Sequence, residues 1–505
     1  MRNVRAACLI GITVSAFCAP GLFAQAPETS WTRTYGGTET DKAWSVQQTT
    51  DGGYIMAGYT ESYGAGYQDA YLLKTDSSGD TLWTRTFGGA TYDYGFSAQQ
   101  TTDGGYILSG WTWSYGPGYY DVYLIKTDSS GDTLWTRTYG SPDPNEWEKG
   151  YSIQQTADGG YIIAGCTEMG AGSYDVLLVK TDSSGDTDWI RTYGGADEDK
   201  AWSVQQTLDG GYIIAGFTES AGAGSYDVWL IKTNSSGDIL WTETYGGAGA
   251  DYGYSVQQTT DSGYIIAGRT ESFGAGSSDV WLIKTTSSGD TLWAETYGGT
   301  GADAGHSVQQ TLDGGYIISG YTETGVSYDA WLVRTDSSGG VLWTETYGDA
   351  GMDVGYAVQQ TTDGGYAIAG YTTSYGAGSY DVYLIKTEPE SAGIAEDQIQ
   401  VANQPFINFR ISPNPFSATA EIRFQTADTG GEVDTYCSAP VTLNIYDMRG
   451  RLVRSFLPFS SHLSHIHSVL WDGRNNSGTI ITSGIYYCRL SQGNYTETKK
   501  VLFVN

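Results

Sequence analysis

The chain has 505 residues, including 70 Gly, 40 Tyr and 11 Pro, and its 57 acidic and 26 basic residues give a formal net charge of −31. Hydrophobic residues make up 39% and aromatic residues 14%, which excludes an intrinsically disordered acidic chain. The length allows two to four domains, and the acidic charge disfavours nucleic acid and anionic lipid as partners.

Residues 1–24 have the pattern of an export signal peptide. Arg2 and Arg5 precede an apolar run, Ala6–Phe17, that is too short to span a membrane. Cleavage fits after Ala24, with a less suitable alternative two residues later, before a Pro. A lipidated Cys18 is a further alternative, but a bulky Phe precedes it where a small residue is expected. We therefore predict an exported protein whose mature chain has no transmembrane span.

Residues 28–387 contain a repeat with a period of about 52 residues. Each unit holds four short runs that are rich in β-branched and aromatic residues and bounded by Gly, Asp or Ser, as expected for strands. In the first unit the runs are Trp44–Thr49, Gly53–Thr60, Asp69–Thr75 and Thr81–Phe87. The Trp of the fourth run recurs at Trp31, Trp83, Trp135, Trp189, Trp241, Trp293 and Trp343. Four antiparallel strands per unit are typical of a propeller blade.

The two ends of the repeat region predict how the blades close. The region begins with a lone fourth-type strand, Trp31–Tyr35, and ends with a third-type strand, Asp381–Thr387, that no Trp strand follows. Pairing these two strands completes a seventh blade and leaves no open edge. We therefore predict an all-β fold, with a seven-bladed β-propeller closed by the N-terminal strand. A linear stack, the alternative, leaves an incomplete unit at each end.

The segment TDSSGDTLW and its later versions begin like a calcium-binding loop. An EF-hand loop counted from Asp76 requires Gly at position 6 and Glu at position 12, where this chain has Thr81 and Phe87. Later copies also replace the first Asp, by Asn234 and Thr286. We therefore interpret the segment as a tight turn between strands and predict no metal site and no cofactor, calcium being the alternative.

Acidic residues recur at the ends of the strands that carry the longer, variable loops. They precede each first strand at Asp41, Asp93, Glu148, Asp199, Asp251, Asp303 and Asp353, and each third strand at Asp69, Asp121, Asp175, Asp227, Asp279, Asp329 and Asp381. One interpretation is a site for cations or sugars; the other is that each carboxylate caps a turn. We favour capping because the residue recurs in every unit.

A binding site is expected to break the symmetry of the repeat and to lie on the variable loops. The candidate binding residues on these loops are Tyr63, Tyr67, Trp111, Trp113, Tyr119, Trp147 in the insertion Ser141–Glu148, and Arg269. Aromatic faces stack on sugar rings, and carboxylates accept sugar hydroxyls. No residue is predicted to be catalytic, because no nucleophile, phosphate-binding or dinucleotide-binding motif is present.

The repeat units resemble bacterial cell-surface β-propeller repeats, through DGGYIMAGYT, DAYLLKTDSSGD and LWTRTFGG in the first unit. The resemblance covers about 360 residues and implies a fold and an exterior location without a single activity. The Trp-containing hairpins are also similar to those of quinone-dependent dehydrogenases. Here the Asp76-to-Trp83 spacing is one residue shorter, and those enzymes usually have eight blades, so no quinone is predicted.

Residues 388–404 lack the repeat and are predicted to be a linker, and residues 405–505 contain about seven short strands, as in an immunoglobulin-like β-sandwich. This segment resembles the type A sorting domain of the type IX secretion system, which shares an immunoglobulin-like fold with FlgD. The matching blocks are SPNPF, IYDMRGRLVR, WDGRNNSG, SGIYYCRL and the final KKVLFVN. The resemblance implies secretion machinery as a partner and delivery to the outside of the cell.

Three cysteines remain after signal removal. Cys437 and Cys488 lie in the same segment and can form a disulfide after export, although neither belongs to the sorting-domain pattern. Cys166 is interpreted as a buried thiol. Among the four His residues, His306 replaces an aromatic residue of other units, and His465 and His467 can share one face of a strand but lack a third metal ligand.

We predict a secreted or cell-surface protein that acts as a binding or adhesion module for a glycan or a protein. The alternative is a secreted polysaccharide hydrolase or lyase that uses paired carboxylates on the propeller face. The sequence leaves enzymatic activity open and favours the binding module.

Overall fold

The computed structural model describes residues 25–143, 145–170, 173–325, 327–390, 406–412, 418–426, 441–447, 451–459, 466–492 and 495–503. Every regular element in these ranges is a β-strand. Among them, no helix is long and apolar enough to cross a membrane. The chain divides into two compact units, Met1–Ala395 and Glu396–Asn505.

The described part of the first unit consists of one lone strand followed by repeated four-stranded antiparallel sheets. The strands are β1 (Thr29–Tyr35); sheet 1, β2 (Asp41–Gln48), β3 (Tyr54–Thr60), β4 (Asp69–Thr75) and β5 (Thr81–Phe87); sheet 2, β6 (Asp93–Gln100), β7 (Tyr106–Thr112), β8 (Asp121–Thr127) and β9 (Thr133–Tyr139); sheet 3, β10 (Glu148–Gln155), β11 (Tyr161–Thr167), β12 (Asp175–Thr181) and β13 (Thr187–Tyr193); sheet 4, β14 (Asp199–Gln206), β15 (Tyr212–Thr218), β16 (Asp227–Thr233) and β17 (Ile239–Tyr245); sheet 5, β18 (Asp251–Gln258), β19 (Tyr264–Thr270), β20 (Asp279–Thr285) and β21 (Thr291–Tyr297); sheet 6, β22 (Ala304–Gln310), β23 (Tyr316–Glu323), β24 (Tyr328–Thr335) and β25 (Val341–Tyr347); and sheet 7, β26 (Asp353–Gln360), β27 (Tyr366–Thr372) and β28 (Asp381–Thr387). Strand β1 completes sheet 7 by pairing antiparallel with β28, from Thr29↔Thr387 to Tyr35↔Val382. These repeated sheets fit the predicted β-propeller.

The burial of each strand follows its place in the sheet. All seven residues of β3 and of β4 are buried, because both faces of the middle strands pack against neighbouring sheets. The outer strand β5 has only exposed and half-buried residues before its last residue, the buried Phe87. The middle strands are therefore nearly continuous apolar runs, and the outer strand is the amphipathic one.

The periodic Trp of each outer strand contacts the next sheet. Trp83 lies with its ring 5.5 Å from the ring of Tyr106 in sheet 2, and Trp189 lies 5.9 Å from Tyr212 in sheet 4. Trp31, on β1 in sheet 7, makes the same contact with Tyr54 of sheet 1 at 5.9 Å. The first and last sheets therefore contact each other as consecutive sheets do.

The DSSGD segment and its variants form the turn before the outer strand of sheets 1 to 6, which confirms the predicted turn. Asp76 Oδ1 accepts the N–H groups of Ser78 and Asp80, both at 2.9 Å. Asn234 Oδ1 accepts the equivalent N–H groups in sheet 4, so the substitution preserves the turn. Gly79 has φ +79°, and a Cβ there would stand 2.6 Å from the Trp31 ring of the preceding sheet. The turn is therefore also the surface on which that Trp packs.

Two Gln residues at the end of each first strand connect neighbouring sheets. Gln47 Oε1 accepts the Gln100 N–H at 2.6 Å, and Gln359 Oε1 accepts the Gln48 N–H between sheets 7 and 1. Gln48 Oε1 in turn accepts the Thr362 N–H at 2.8 Å. The first strands of all seven sheets line a cavity of about 310 Å³.

Aromatic side chains near the middle of the first strands contact each other. We call this set the aromatic collar: Trp44, Phe96, Tyr151, Trp202, Tyr254, His306 and Tyr356. His306 stacks on Tyr356 at 4.3 Å. Burial, and secondarily the nearby Arg269, lowers the pKa of His306 to about 3. The imidazole is thus a neutral packing residue, as its replacement of an aromatic residue predicts.

A buried cation on each third strand binds the Asp of the first turn. In sheet 4, Lys232 Nζ lies 2.9 Å from Asp209 Oδ2 and donates to the Thr233 carbonyl. Burial raises the pKa of Asp209, but hydrogen bonds from Thr207, Lys232 and Gly211 outweigh it and lower the pKa to about 2. Sheet 6 has Arg334 instead of Lys. These pairs satisfy charges that would otherwise be buried alone.

Residues 388–390 contact the repeat unit beyond its predicted end at 387. The Glu388 N–H donates to the Glu28 carbonyl at 2.7 Å. Glu390 Oε1 accepts Arg334 Nε at 2.9 Å and Trp343 Nε1 at 3.0 Å. No seventh DSSGD-type turn follows β28, and Glu390 takes its place against Trp343, the last periodic Trp.

The described part of the second unit forms two antiparallel sheets. One consists of β29 (Phe406–Ser412), β30 (Ala420–Thr426) and β33 (Ile466–Trp471), and the other of β31 (Val441–Asp447), β32 (Leu452–Phe459), β34 (Gly484–Gln492) and β35 (Tyr495–Phe503). A single apolar core contains residues of both sheets, including Ile422, Leu443 and Trp471. The WDGRNNSG block forms a turn in which Asn475 Oδ1 accepts two backbone N–H groups at 3.0 Å.

The cysteine predictions are tested only in part. Cys166 is fully buried in β11, as predicted, and burial raises the pKa of its thiol to about 11. Cys488 is buried in β34, where burial raises its pKa to about 12. Cys437 lies outside the described residues, as do His465 and the SPNPF block from Pro413 onward. The disulfide between Cys437 and Cys488 stays a prediction.

Candidate functional site

The two ends of the repeated sheets differ in their connections. The short-turn end carries the tight turns, such as those at residues 49–53 and 76–80, whereas the long-loop end carries the loops at residues 61–68 and the connections between sheets. All seven predicted binding residues belong to or adjoin connections at the long-loop end. The geometry of this end therefore decides which of them lie together.

The recurring carboxylates at the long-loop end cap turns, which confirms the structural interpretation. Asp93 Oδ2 accepts the Gly89 N–H at 2.9 Å and the Ser114 hydroxyl at 2.6 Å. Asp69 Oδ2 accepts the N–H groups of Ala65 and Gly66. Both Asp side chains are buried, so neither presents a carboxylate to a polymer in solvent.

Glu148 is the one Glu among the seven carboxylates that precede the first strands. It is fully buried, and its carboxylate accepts the Ser141 N–H at 3.2 Å and the Thr167 hydroxyl at 3.0 Å. Burial, with smaller contributions from Asp121 and Glu146, raises the pKa of Glu148 to about 7. The group has the pKa of a general acid but is enclosed by its own loop.

Six aromatic side chains lie together where sheets 1, 2 and 3 meet at the long-loop end. We call them the aromatic sector: Tyr67, Tyr92, Trp113, Tyr119, Tyr120 and Trp147. Parallel bridges Gln68↔Tyr92 and Tyr120↔Trp147 join consecutive sheets beside these rings. The sector contains four of the predicted binding residues.

Four rings of the sector form a row of nearly parallel planes. Tyr67 and Tyr92 have centroids 5.4 Å apart and planes at 17°, and Tyr92 and Trp113 are 5.7 Å apart at 13°. Trp113 and Tyr119 follow at 4.6 Å and 27°. Tyr67 is 68% exposed and Tyr119 is 41% exposed. The row is thus held in place by ring contacts and remains open to solvent.

A cation lies against the sector on its protein side. Lys149 Nζ lies 4.9 Å from the ring centroid of Tyr120, 5.3 Å from Trp111 and 5.4 Å from Trp147. Burial lowers the pKa of Lys149. Trp111 itself is 8% exposed, so it supports the sector from below and offers little surface of its own.

The structure places Tyr63 and Arg269 apart from the aromatic sector. The Tyr63 hydroxyl donates to the Gly36 carbonyl at 2.8 Å, and Tyr375 makes the equivalent bond to Gly348 in sheet 7. The Arg269 guanidinium lies 4.6 Å from the Tyr252 ring and 3.5 Å from the Glu271 carboxylate in sheet 5. Tyr63 thus makes a repeated loop contact, and Arg269 belongs to a separate cluster.

Sequence reasoning missed Tyr92 and Lys149. Tyr92 lies one unit before Trp147 and at the equivalent position. The other units have Thr40, Glu198, Ala250, Ala302 and Met352 at this position. Aligning the connections between sheets would have shown two consecutive aromatic residues there. Lys149 carried no such signal, because Lys42 and Lys200 occupy the same position in other units.

Among the described residues, no three His, Cys, Asp or Glu side chains form a group that could hold a metal ion.

No protein-family model matches the chain. A curated relative, the regulatory protein FlaEY of Caulobacter vibrioides, is 26% identical over 181 residues, which span 30% of this chain and 18% of FlaEY. The chain thus covers under a fifth of that relative's length.

Several solved structures of low sequence identity align with this chain. PorZ, a surface component of the type-IX secretion system of Porphyromonas gingivalis, aligns with a TM-score of 0.44 and 12% identity over 93% of this chain and 60% of PorZ. The WD40 domain of Neurospora crassa Pan2 aligns with a TM-score of 0.43 and 11% identity over 68% of this chain and 89% of that domain. A puromycin hydrolase aligns at 0.46 and 11% over 79% of this chain and 61% of the hydrolase. None of these likenesses bears on what the chain binds.

Proposed function

We propose that the protein is an exported β-propeller that binds a glycan or a protein outside the cell through the aromatic sector. The observation that carries this proposal is the sector itself, a solvent-open row of aromatic rings at the junctions of sheets 1, 2 and 3. Tyr and Trp supply large contact areas and are the side chains most often found at binding hot spots.

We also propose that the repeated sheets form a closed ring of seven blades. Three observations support this: the pairing of β1 with β28, which completes sheet 7, and two contacts between sheets 7 and 1, the packing of Trp31 on Tyr54 and the Gln359-to-Gln48 hydrogen bond. Closure leaves no unpaired edge between the first and last sheets and holds the loops of sheets 1, 2 and 3 in a fixed arrangement.

The second unit, in this proposal, is an immunoglobulin-like type IX sorting domain that delivers the propeller to the cell surface or the medium. The sequence blocks and the two antiparallel sheets that share one core support it. The signal peptide at residues 1–24 is proposed for the first export step. Secretion machinery is the partner expected for this unit.

A glycan array probed with the full mature chain, with and without calcium, tests the proposed function. We expect binding that falls when Tyr67→Ser and Tyr119→Ser are combined, because both substitutions remove exposed rings and introduce the residue that sheets 3 to 7 carry at the same position. Binding that is unchanged by these substitutions contradicts the assignment of the sector. Release of reducing ends from a polysaccharide supports the hydrolase alternative instead.

A further inference from the structure

We infer that the aromatic sector takes an uncharged carbohydrate chain as its ligand. The inference rests on the proposed function, because it names the ligand class of the same site. It is carried by three features of the described residues: the composition and order of the ring row, the cation already held against the sector, and the acidic groups beside it.

The row of rings suits a ligand that carries both apolar C–H faces and hydroxyl groups. Tyr67, Tyr92, Trp113 and Tyr119 each combine a ring with a polar O–H or N–H group, and the row contains no aliphatic side chain. Adjoining rings stack on one another with planes 13° to 27° apart, so the row is ordered and offers its ring edges and the exposed end ring, Tyr67, as the surfaces that a chain can contact. Aromatic side chains bury large areas and keep their polar tips in contact with water or ligand.

A cationic ligand has no place in the sector's most enclosed part. Trp111, Tyr120 and Trp147 surround Lys149 Nζ at 4.9 to 5.4 Å, within the distance at which a cation interacts with a ring face. The protein's own ammonium group therefore occupies the aromatic cage that a methylated lysine or a choline group would need.

An anionic ligand meets acidic groups beside the row. The Gln68 side-chain amide, next to Tyr92, donates to the Glu61 carboxylate, which places that carboxylate near the junction of sheets 1 and 2. Glu146 directly precedes Trp147, and Asp143 is exposed in the same insertion. Residues 25–390 carry 48 acidic and 15 basic residues, so their net negative charge disfavours the approach of anions.

The same oxygens accept hydrogen bonds from sugar hydroxyls. The carboxylates of Glu61, Asp143 and Glu146 offer acceptors, and the Tyr hydroxyls offer both donors and acceptors. A neutral glycan satisfies rings and acceptors together. An anionic polymer is opposed by the local carboxylates, and a cationic group finds the cage of Trp111, Tyr120 and Trp147 already occupied by Lys149.

Affinity gel electrophoresis of the full mature chain tests the inference. The gels contain laminarin, xylan or mannan as neutral polymers, polygalacturonate as an anionic polymer, and glycol chitosan as a cationic one. We expect retardation by at least one neutral polymer, with its apparent dissociation constant raised about tenfold or more in the variant Tyr67→Ser/Trp113→Thr/Tyr119→Ser. Each new residue occurs at the same position in another unit, and none changes the charge.

The matched control is Leu208→Thr/Leu312→Thr. These Leu residues are 86% and 85% exposed at the short-turn end, and other units carry Thr at the same position, so the control removes exposed apolar surface elsewhere. We expect it to bind like the wild type. The single variant Tyr67→Ser, at the most exposed ring, gives a second measurement if the triple variant unfolds.

The outcomes separate this inference from the proposed function. Sector-dependent retardation by polygalacturonate or glycol chitosan alone overturns the uncharged ligand and leaves the sector as the binding site. Retardation by none of the five polymers overturns the inference. Retardation that is equal in the wild type, the sector variant and the control overturns both the inference and the proposed sector.

Discussion

The junctions between sheets 1, 2 and 3 differ from those between sheets 4, 5 and 6 in their exposed residues and hardly at all in their framework. Tyr92 and Trp147 of the first region correspond to Ala250 and Ala302 of the second. Beneath them, Asp93 and Asp251 cap the same loop with the same bonds to a Gly N–H and a Ser hydroxyl. The residues that both regions share therefore show what the fold requires. The aromatic residues found only at the junctions of sheets 1, 2 and 3 are additions that the fold does not require.

The largest effect is expected where the two regions share their framework. Gly131→Ala and Gly237→Ala each place a Cβ within 2.8 Å of a Trp ring of the preceding sheet at φ near +80°. We expect both to lower the free energy of unfolding by about 2–4 kcal/mol, from backbone strain and overpacking together. Denaturant unfolding measures this.

Gly104→Ala and Gly210→Ala are the controls for that experiment. They have a similar φ but nothing within 4 Å of the added Cβ, so only the conformational cost of about 1 kcal/mol is expected. A difference of more than about 1 kcal/mol between Gly131→Ala and Gly237→Ala would show that the two regions do not share one framework.

Glu148 is expected to give the next largest effect, and it distinguishes the two regions. Its pKa is raised to about 7 in the folded protein, so its contribution to stability is full below the unfolded pKa and is lost as pH rises towards 7. Glu148→Gln should therefore stabilise the protein by about 1–3 kcal/mol at pH 8 and change little at pH 4. Thermal unfolding from pH 4 to pH 8 measures the difference.

Asp199→Asn, at the equivalent position in sheet 4, is the control for Glu148→Gln. Asp199 accepts the Gly195 N–H and the Ser220 hydroxyl, both at 2.8 Å, so the substitution weakens two charge-assisted bonds. We expect a loss of about 1 kcal/mol at pH 8. If Asp199→Asn stabilises the protein at pH 8, or if Glu148→Gln does not, the proposed difference between these two carboxylates is wrong.

Lys149 is expected to contribute more than its counterpart Lys200. Lys149 lies against three rings, whereas Lys200 lies 4.2 Å from the Tyr174 ring and pairs with Glu198. Lys149→Met should cost about 1–2 kcal/mol, because it removes a partly desolvated cation from the rings. Lys200→Met should cost less than about 1 kcal/mol. Equal losses in urea unfolding would show that the cage around Lys149 adds no stability.

The smallest effect is expected at the exposed rings of the sector. Tyr67→Ser and the reverse exchange Ser225→Tyr should each change the free energy of unfolding by no more than about 0.5 kcal/mol, since each introduces a residue that another unit carries there. Calorimetry of the two variants checks this. A loss above about 1 kcal/mol in Tyr67→Ser would mean that the ring row serves folding.

Much of the framework was predictable from sequence because each repeated signal has a local cause. The Trp spacing indicated the repeat, and Trp83 packs on the next sheet; the DSSGD pattern indicated a turn, and Asp76 closes it. Capping by the recurring Asp residues was also predicted correctly. The contacts of residues 388–390 were missed, because a single Glu390 opposite Arg334 has no repeat to reveal it.

The candidate site was predictable only as a set of departures from the repeat. Sequence located Tyr67, Trp113, Tyr119 and Trp147 but could not show that Tyr92 completes the row or that Trp111 is covered. It also grouped Tyr63 and Arg269 with them, since distances between loops of different units depend on how the sheets pack. A sequence repeat shows which positions are equivalent in different units. Only the packing of the sheets shows which of the non-repeated residues lie next to each other.

Hydroxyl-radical footprinting of the full mature chain, with and without the neutral polysaccharide that retards it, tests the central claim most directly. Oxidation rates of Tyr and Trp side chains report their solvent exposure residue by residue. We predict protection of Tyr67, Trp113 and Tyr119, with no change at Tyr375, which is equally exposed at 41% to Tyr119 but lies in sheet 7. Protection of Tyr375 without protection of Tyr67 and Tyr119 would contradict the aromatic sector as the binding surface.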